Sequence, residues 1–391
     1  MRTAQAEDHL LRFYSLEESG RGQELQTAER LLRAIPRVFV AGDSLLFSGL
    51  LEFPLDWTYF ENELKKRALA LIFFGLARKD EQIYAAVPAR LRDWLRLNYY
   101  MALEESAHRD IALREILLSF SRSEVPLIVL RGAALASLDY PDPALRTSSD
   151  IDIVVRKQDL PQAHRVCRSM NLEMKTGHGE IVYCRQAPSR VHLDLHGEFW
   201  YANGEEIWKR AQKTEIGGFP CFILSPEDNV LHLIAHAMIH HARFSLQDAI
   251  DLALVIRHNV NLDWGRIASQ IKGTAIRDCA WLALSQARSW TGVGIPQNIL
   301  DRCKPKLFFP LRNGLLRTWI KFYNRPDAGH FLRPLACSGG SSKIAFLLRF
   351  FFPDPEFIKR RYNTQAAGRV FIYYLLRPFL LLQKMVRYWK S

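Results

Sequence analysis

Two aspartates separated by a single residue, Asp150 and Asp152, lie in an apolar segment together with Ile151 and Ile153. Alternate side chains of an extended strand share a face, so both carboxylates are predicted to point the same way. Adjacent carboxylates repel each other unless a cation lies between them, and a divalent metal ion is the usual one. The alternative is a solvated pair on an edge strand, because Asp-x-Asp alone is a common pattern.

A second segment, 191–196, alternates apolar residues with His192, Asp194 and His196. This alternation predicts another half-buried strand with one polar face. If the two strands are neighbours, Asp194 joins the first two aspartates in a three-carboxylate cluster. Such a cluster can hold two Mg²⁺ ions about 3.5–4 Å apart for an in-line phosphoryl displacement, and Mn²⁺ can replace them.

A glycine turn precedes both segments, where the apolar residues before Leu130 lead through Arg131 into Gly132 and Ala133. The pattern indicates a strand, a tight turn and a short helix whose first backbone N–H groups can face an anion. The turn and the three acids together predict a site for a metal–nucleotide complex.

In this order of motifs the chain resembles the DNA polymerase β-type nucleotidyltransferase superfamily, and more closely an uncharacterised bacterial nucleotidyltransferase-like family. The similarity extends over about residues 55–300. It is carried by Arg131-Gly132, Tyr140-Pro-Asp-Pro143, Arg146, Asp150-Ile-Asp152, Asp194-Leu-His196 and the segment from Ser225 to His236. The resemblance implies that Asp150 and Asp152 bridge the metals that bind a triphosphate. It also implies that Asp194 completes the catalytic metal site and helps to remove the proton from the acceptor hydroxyl.

The same resemblance implies nucleotide contacts. The amides of Gly132 and Ala133 would approach the β- and γ-phosphates, although Ala133 lacks the hydroxyl of the serine that is usual at this position. Arg131 and Arg146 would neutralise phosphate charge, for which guanidinium groups are well suited. The alternative for these arginines is a surface ion pair, for example between Arg146 and Asp142.

Four further side chains are candidate contacts to the acceptor: His196, His236, His240 and Asp251. The four-residue spacing of His232, His236 and His240 could also bind zinc, but no His-Glu-x-x-His motif supports this. Buried or substrate-facing histidines are the commoner explanation. Asp251 lies on an apolar helix face and needs a partner, either a histidine of the preceding helix or the acceptor.

The charge of the chain is concentrated at one end. Its net charge is +12 with a pI near 9.5, and the part from Lys304 onward holds 17 Lys and Arg against 3 Asp and Glu. This basic, aromatic-rich tail predicts either an interfacial helix in peripheral contact with anionic lipid or a terminal helix packed on the body. A nucleic-acid partner is disfavoured because no RNA-recognition motif is present.

The six cysteines form no close pair, and no apolar stretch follows Met1. These features predict a cytoplasmic protein, with the inner membrane face as the place of peripheral contact.

The apolar periodicity predicts an α+β fold with N- and C-terminal helical regions. The resemblance implies that the part between them is a small mixed-sheet nucleotidyltransferase core. Helices are predicted over 27–35, 56–78, 88–106 (continuing to about 122), 132–139 and 159–170, and strands over 127–131, 150–155, 180–186 and 190–196. The predicted domains are an N-terminal helical region 1–122, an α/β core 123–224, a helical domain 225–300 and a basic aromatic-rich region 301–391.

The sequence therefore predicts a metal-dependent nucleotidyltransferase that moves a nucleoside monophosphate from a nucleoside triphosphate to the hydroxyl of an unknown acceptor, with release of pyrophosphate. A kinase is disfavoured because neither a Gly-x-x-x-x-Gly-Lys loop nor a His-Arg-Asp loop is present. The alternative is a catalytically inactive nucleotide-binding or scaffold protein in a membrane-associated biosynthetic pathway.

Overall fold

The fold is taken from a computed structural model of the chain. It describes residues 23–42, 53–177, 180–186, 190–199, 201–240, 244–272, 276–304 and 370–377, and a few single positions between 47 and 51 and between 355 and 358. Most of the basic tail predicted above lies outside the described residues.

The N-terminal region is helical, as the periodicity predicts. Its helices are α1 (Gln23–Ala41), α2 (Trp57–Lys66), α3 (Ala70–Ala77), α4 (Glu81–Ala86) and α5 (Ala89–Arg122). The last of these has 34 residues and leads directly into the sheet.

The prediction of one helix over 56–78 is wrong, because the chain turns between α2 and α3. Ala68 adopts a left-handed backbone conformation with φ of 55°. This conformation lets the Leu69 amide return to the Leu64 carbonyl at 3.0 Å, which satisfies a carbonyl at the end of α2. Glycine is the usual residue there, and an alanine gives no sequence signal of the break.

The core contains seven strands and three α-helices among the described residues. After the N-terminal region come β1 (Ile128–Leu130), α6 (Arg131–Leu138), β2 (Ile151–Val154), α7 (Leu160–Ser169), β3 (Glu173–Gly177), β4 (Glu180–Arg185), β5 (Val191–His196), α8 (Gly204–Arg210), β6 (Gln212–Ile216) and β7 (Phe219–Ile223). The strands form one seven-stranded sheet in the order β3-β4-β5-β2-β1-β7-β6.

The sheet is mixed, which confirms the predicted fold class. β2 pairs in parallel with β5, and β1 pairs in parallel with β7, while the other neighbouring pairs are antiparallel. The last residues of β2 and β5 therefore lie at the same edge of the sheet, because parallel strands run in one direction.

Apolar side chains cover both faces of the sheet at its centre. Ile151, Ile153 and Leu193 belong to a large core that includes residues of α5, α6 and α7. Leu130 and Val154 point the other way, into a smaller core with residues of α8. Because side chains alternate along β2, Ile151 and Ile153 face the large core, whereas Asp152 and Val154 face the other side of the sheet.

The remaining described helices are α9 (Pro226–Ala235), a π-helical turn (His236–His240), α10 (Leu246–His258), α11 (Trp264–Lys272), α12 (Arg277–Thr291) and α13 (Gln297–Cys303). Ser225 caps α9, because the Asp228 amide donates to Ser225 Oγ at 3.3 Å. Residues 370–377 are also helical.

The chain forms two compact units. The first comprises residues up to Val230, Leu246–Leu262 and Gln286–Ile295, and it contains the whole sheet. The second comprises Leu231–Ser245, Asp263–Ser285 and the residues from Pro296 onward, and within it α11 packs against α13. The boundaries of the four predicted domains stay a prediction.

Candidate active site

Two of the three predicted acids stand opposite each other on neighbouring strands. Asp152 of β2 is paired in register with Asp194 of β5, and Ile151 is paired with Leu193. Registered residues of parallel strands point to the same face of a sheet. The two carboxylates therefore share the face opposite the large core, although 41 residues lie between them in the sequence.

Asp152 is buried, with an exposed fraction of 2%, and carries an ion pair. The Arg131 guanidinium at the start of α6 contacts one of its carboxylate oxygens, and His196 Nε2 lies 3.4 Å from the same oxygen. Burial by itself would raise the pKa of Asp152. The Arg131 charge and the His196 interactions outweigh it, so this pKa lies well below its ordinary value.

Asp194 has the opposite electrostatics. Its Oδ1 atom is buried and has no hydrogen-bond partner among the described residues. Burial, followed by repulsion from Asp152 and Asp150, raises the pKa of Asp194 to about 6. The His192 ring lies beside this carboxylate, with Nδ1 3.8 Å from Oδ1. The site thus holds one ionised carboxylate beside one that resists ionisation.

Asp150 immediately precedes β2 and is half-buried. Ser148 Oγ donates to Asp150 Oδ1 at 2.8 Å, which orients this carboxylate. Since Asp150 contributes to the raised pKa of Asp194, all three acids interact through their charges. No single one of them is electrostatically independent.

Gly132 brings the start of α6 against the segment that carries Asp150. A Cβ atom added at Gly132 would lie 2.5 Å from Ser148 Oγ and 2.7 Å from Ser148 Cβ, which leaves no room for a side chain. The Ser148 hydroxyl is therefore held next to the turn where Ala133 lacks one. The glycine is needed for this close approach, as the turn motif predicts.

The donor set of this site fits a divalent cation in chemical terms. Hard cations prefer carboxylate oxygens, and Asp194 offers a buried oxygen without a partner beside two other carboxylates. Among the residues that the structure describes, however, no three His, Cys, Asp or Glu side chains are arranged to hold one metal ion together. The Arg131 guanidinium forms an ion pair with Asp152 and so supplies the positive charge that this buried carboxylate needs.

Arg146 forms a buried ion pair with Asp251 of α10. Its Nε atom lies 2.8 Å from Asp251 Oδ1, and Nη2 lies 2.8 Å from Oδ2. Tyr140 and Gln247 also donate to Asp251 Oδ1, at 2.7 Å and 3.2 Å. The prediction that a histidine of the preceding helix pairs with Asp251 is therefore wrong, because Arg146 neutralises this carboxylate.

The suggested pairing of Arg146 with Asp142 is also wrong. Asp142 is bound by the Arg78 guanidinium and accepts a hydrogen bond from Tyr99 at 2.7 Å. In the structure Arg131 and His196 contact Asp152, and Arg146 contacts Asp251. The predicted nucleotide contacts of the two arginines stay predictions, and so do the acceptor contacts of His196 and Asp251.

The two other predicted acceptor contacts belong to the π-helical turn after α9. His236 is half-buried, and its ring centroid lies 6.2 Å from that of His232. The side chain of His240 lies outside the described residues. Contact of either histidine with an acceptor stays a prediction.

One charged residue beside the acids was not predicted. Arg109 of α5 donates from Nη1 to the Ser148 carbonyl at 3.2 Å and from Nη2 to the Pro143 carbonyl at 3.4 Å. It therefore holds the loop that leads to Asp150. A single arginine in a long helix belongs to no motif, so no pattern in the sequence indicates this position.

Comparison with known proteins gives one family. The model of a family described as uncharacterised nucleotidyltransferase matches residues 54–292, which is more than half of the chain. No curated protein matches the chain.

Two solved structures have some likeness to this chain. The antibiotic-resistance factor ANT(2'')-Ia is 13% identical, with 42% of this chain and 90% of that chain covered and a TM-score of 0.33. An antigenic nucleotidyltransferase-like protein from Paracoccidioides brasiliensis is 14% identical, with 51% and 94% covered and a TM-score of 0.30.

Proposed function

Since the chain belongs to the uncharacterised nucleotidyltransferase family, we propose that it transfers a nucleoside monophosphate from a nucleoside triphosphate to an acceptor hydroxyl, with pyrophosphate as the leaving group. We propose that the reaction depends on Mg²⁺, as two ions, with Mn²⁺ as a substitute. The observation that carries this proposal is the register of Asp152 with Asp194 on one face of the sheet, with Asp150 next to them.

Bound Mg²⁺ would supply Lewis-acid stabilisation of the phosphoryl oxygens. The carboxylates of Asp150 and Asp152 hold negative charge at the centre of the site. Asp194, whose pKa is raised to about 6, can accept the proton of the acceptor hydroxyl near neutral pH. Its buried, unpartnered oxygen faces no competing hydrogen bond from the described residues.

The residues of the turn would receive the triphosphate. Arg131 neutralises Asp152 in the structure. If a cation took over this neutralisation, the Arg131 guanidinium could bind a phosphate oxygen instead. The amides of Gly132 and Ala133 lie in the first turn of α6, where an anion is favoured. Ser148 Oγ lies against the same turn and can serve in place of the missing serine hydroxyl.

The first prediction tests this function with Asp150→Asn. The purified full-length protein is incubated with each of the four nucleoside triphosphates, Mg²⁺ and a lysate as a source of acceptors, and pyrophosphate release is measured. We expect release by the wild type and a decrease of about 10²–10³-fold or more in the variant, the scale for losing one transition-state stabiliser. Asp150 suits the test because the asparagine keeps an Oδ1 that can accept the hydrogen bond from Ser148, while the negative charge is lost.

Asp93→Asn is the matched control, since Asp93 is an exposed acid of α5 whose side chain is 71% accessible. Release that is equal in wild type and Asp150→Asn would contradict the proposal. Nucleotide binding without turnover by the wild type would instead support the alternative, a nucleotide-binding or scaffold protein in a membrane-associated biosynthetic pathway. Chelation of divalent ions should abolish pyrophosphate release, and added Mg²⁺ or Mn²⁺ should restore it. This experiment tests the metal dependence of the reaction.

We also propose that the protein acts in the cytoplasm and contacts the inner membrane face through its C-terminal region. Four large apolar side chains of the helical segment 370–377 are exposed by 46–65%; they are Phe371, Ile372, Leu375 and Leu376. The region from Lys304 carries 17 basic and 3 acidic residues. An apolar helix face and a basic tail are the two signals that stable peripheral binding requires. No helix in the described part of the chain meets the length and apolarity needed to cross a membrane.

The second prediction concerns this contact. The full-length protein should float with vesicles that contain phosphatidylglycerol and not with pure phosphatidylcholine. Phe371→Ser combined with Leu375→Ser should reduce the bound fraction at least tenfold, because burying each large apolar side chain contributes about 1.5–3 kcal/mol. Val260→Ser is the control, since Val260 is 86% exposed elsewhere in the chain. Binding that the double variant retains in full would contradict the proposed contact.

A further inference from the structure

Arg109 is a partly buried cation next to the acids. It is half-buried in α5, and its three hydrogen bonds go to neutral oxygens: the carbonyls of Ser148 and Pro143 and the hydroxyl of Ser106. A guanidinium has five N–H donors, so two of them make no hydrogen bond to a described residue. No carboxylate of the described residues forms an ion pair with it.

Burial and the nearby Arg146 charge lower the pKa of Arg109, while the acids Asp110, Asp150 and Glu105 act on it only through space. A partly desolvated charge without a contacting counter-ion is costly, and proteins keep such groups where a ligand supplies the opposite charge. An anion bound here would offset the repulsion between the two arginines.

The position of Arg109 identifies the anion. The same guanidinium that binds the Ser148 carbonyl lies next to the serine whose Oγ contacts both the Gly132 turn and Asp150. An anion that contacted both Arg109 and the start of α6 would therefore pass beside Ser148 and Asp150. A single phosphate group satisfies one of these places, whereas a chain of phosphates spans them.

We propose that Arg109 is a phosphate-binding residue of the nucleotide site, which contacts the polyphosphate tail of a nucleoside triphosphate. This inference rests on the proposed function and assigns a role to a residue of the N-terminal helical region. It differs from a purely structural role, in which Arg109 would only hold the loop between Pro143 and Asp150.

The test compares Arg109→Gln with Arg109→Lys in the full-length protein. Dissociation constants are measured by calorimetry, with Mg²⁺ and without acceptor, for the tri-, di- and monophosphate of the nucleoside that the wild type prefers. Arg109→Gln should weaken the affinity for the triphosphate by about tenfold to hundredfold, the range for losing a charged hydrogen bond. Its affinity for the monophosphate should be nearly unchanged. Arg109→Lys should retain most of the preference for the triphosphate, because the charge remains.

Arg96→Gln is the control, since Arg96 is an exposed arginine of the same helix paired with Asp93. Parallel loss of affinity for all three nucleotides in Arg109→Gln would overturn the inference, because it indicates a role in holding the loop alone. An unchanged ratio of triphosphate to monophosphate affinity would also overturn it while leaving the proposed function intact. Absence of triphosphate binding by the wild type would overturn both.

Discussion

Asp194→Asn is expected to reduce nucleotidyl transfer by about 10³-fold and, at the same time, to make the metal-free protein more stable at neutral pH. The loss of activity follows because an amide can neither accept the acceptor's proton nor supply a carboxylate oxygen to a cation. The gain in stability follows from the position of Asp194, where ionisation is opposed by burial, Asp152 and Asp150.

The sign of the pH dependence follows from the raised pKa. The folded protein binds the Asp194 proton up to about pH 6, whereas the unfolded chain releases it near the ordinary value of 3.8. The contribution of Asp194 to the stability of the wild type is therefore complete below about pH 4 and is lost as the pH rises to about 6. A shift of this size corresponds to at most about 3 kcal/mol at 1.36 kcal/mol per pKa unit.

The measurement is thermal unfolding of wild type and Asp194→Asn at pH 4 to 8 in the presence of a chelator. The melting temperatures should be close at pH 4 and diverge in favour of the variant up to about pH 6–7. Asp93→Asn should follow the wild type. A variant less stable than the wild type at pH 7 would show that Asp194 is a structural acid.

The acids of this site could be predicted from the sequence because each lies in a short segment with a clear period of two. Alternation in 191–196 assigns Asp194 to a polar face without knowledge of its neighbours. The parallel pairing of β2 with β5 could only be assumed, since β3 and β4 lie between them in the chain. Pairing of distant strands depends on the whole sheet and on no local signal.

Other parts of the fold have weak local patterns. The edge strand β3 reads Glu-Met-Lys-Thr-Gly and the edge strand β6 reads Gln-Lys-Thr-Glu-Ile, and neither shows the apolar alternation of a buried strand. Edge strands are often polar because one of their sides meets solvent. The partners of Arg131, Arg109 and Arg146 could not be predicted from the sequence either, because an arginine side chain can extend in many directions.

Arg146→Met is expected to have the largest effect on stability of any variant considered, a loss of about 3–5 kcal/mol in the free energy of unfolding. Asp251 is only 2% exposed and would be left with only Tyr140 and Gln247 as contacts, without a cationic partner. Breaking one side of a buried pair is costly for this reason, whereas replacing both sides is often tolerated. The measurement is urea unfolding of the full chain at pH 7.

A double-mutant cycle separates the ion pair from packing. Arg146→Met combined with Asp251→Leu should recover much of the stability lost in Arg146→Met, because no buried charge is left alone. The exposed pair of Arg96 and Asp93 gives the scale for comparison, and Arg96→Met should cost at most about 1 kcal/mol. A loss in Arg146→Met no greater than this would mean that solvent reaches Asp251.

The same variants decide what Arg146 does in the nucleotide site. If Arg146 only neutralises Asp251, the folded double variant should bind nucleoside triphosphate with nearly wild-type affinity. If its guanidinium also contacts phosphate, that affinity should fall about tenfold or more even where stability is restored. The ion pair favours the first outcome, because both Asp251 oxygens and the Nε and Nη2 donors of Arg146 are engaged with each other.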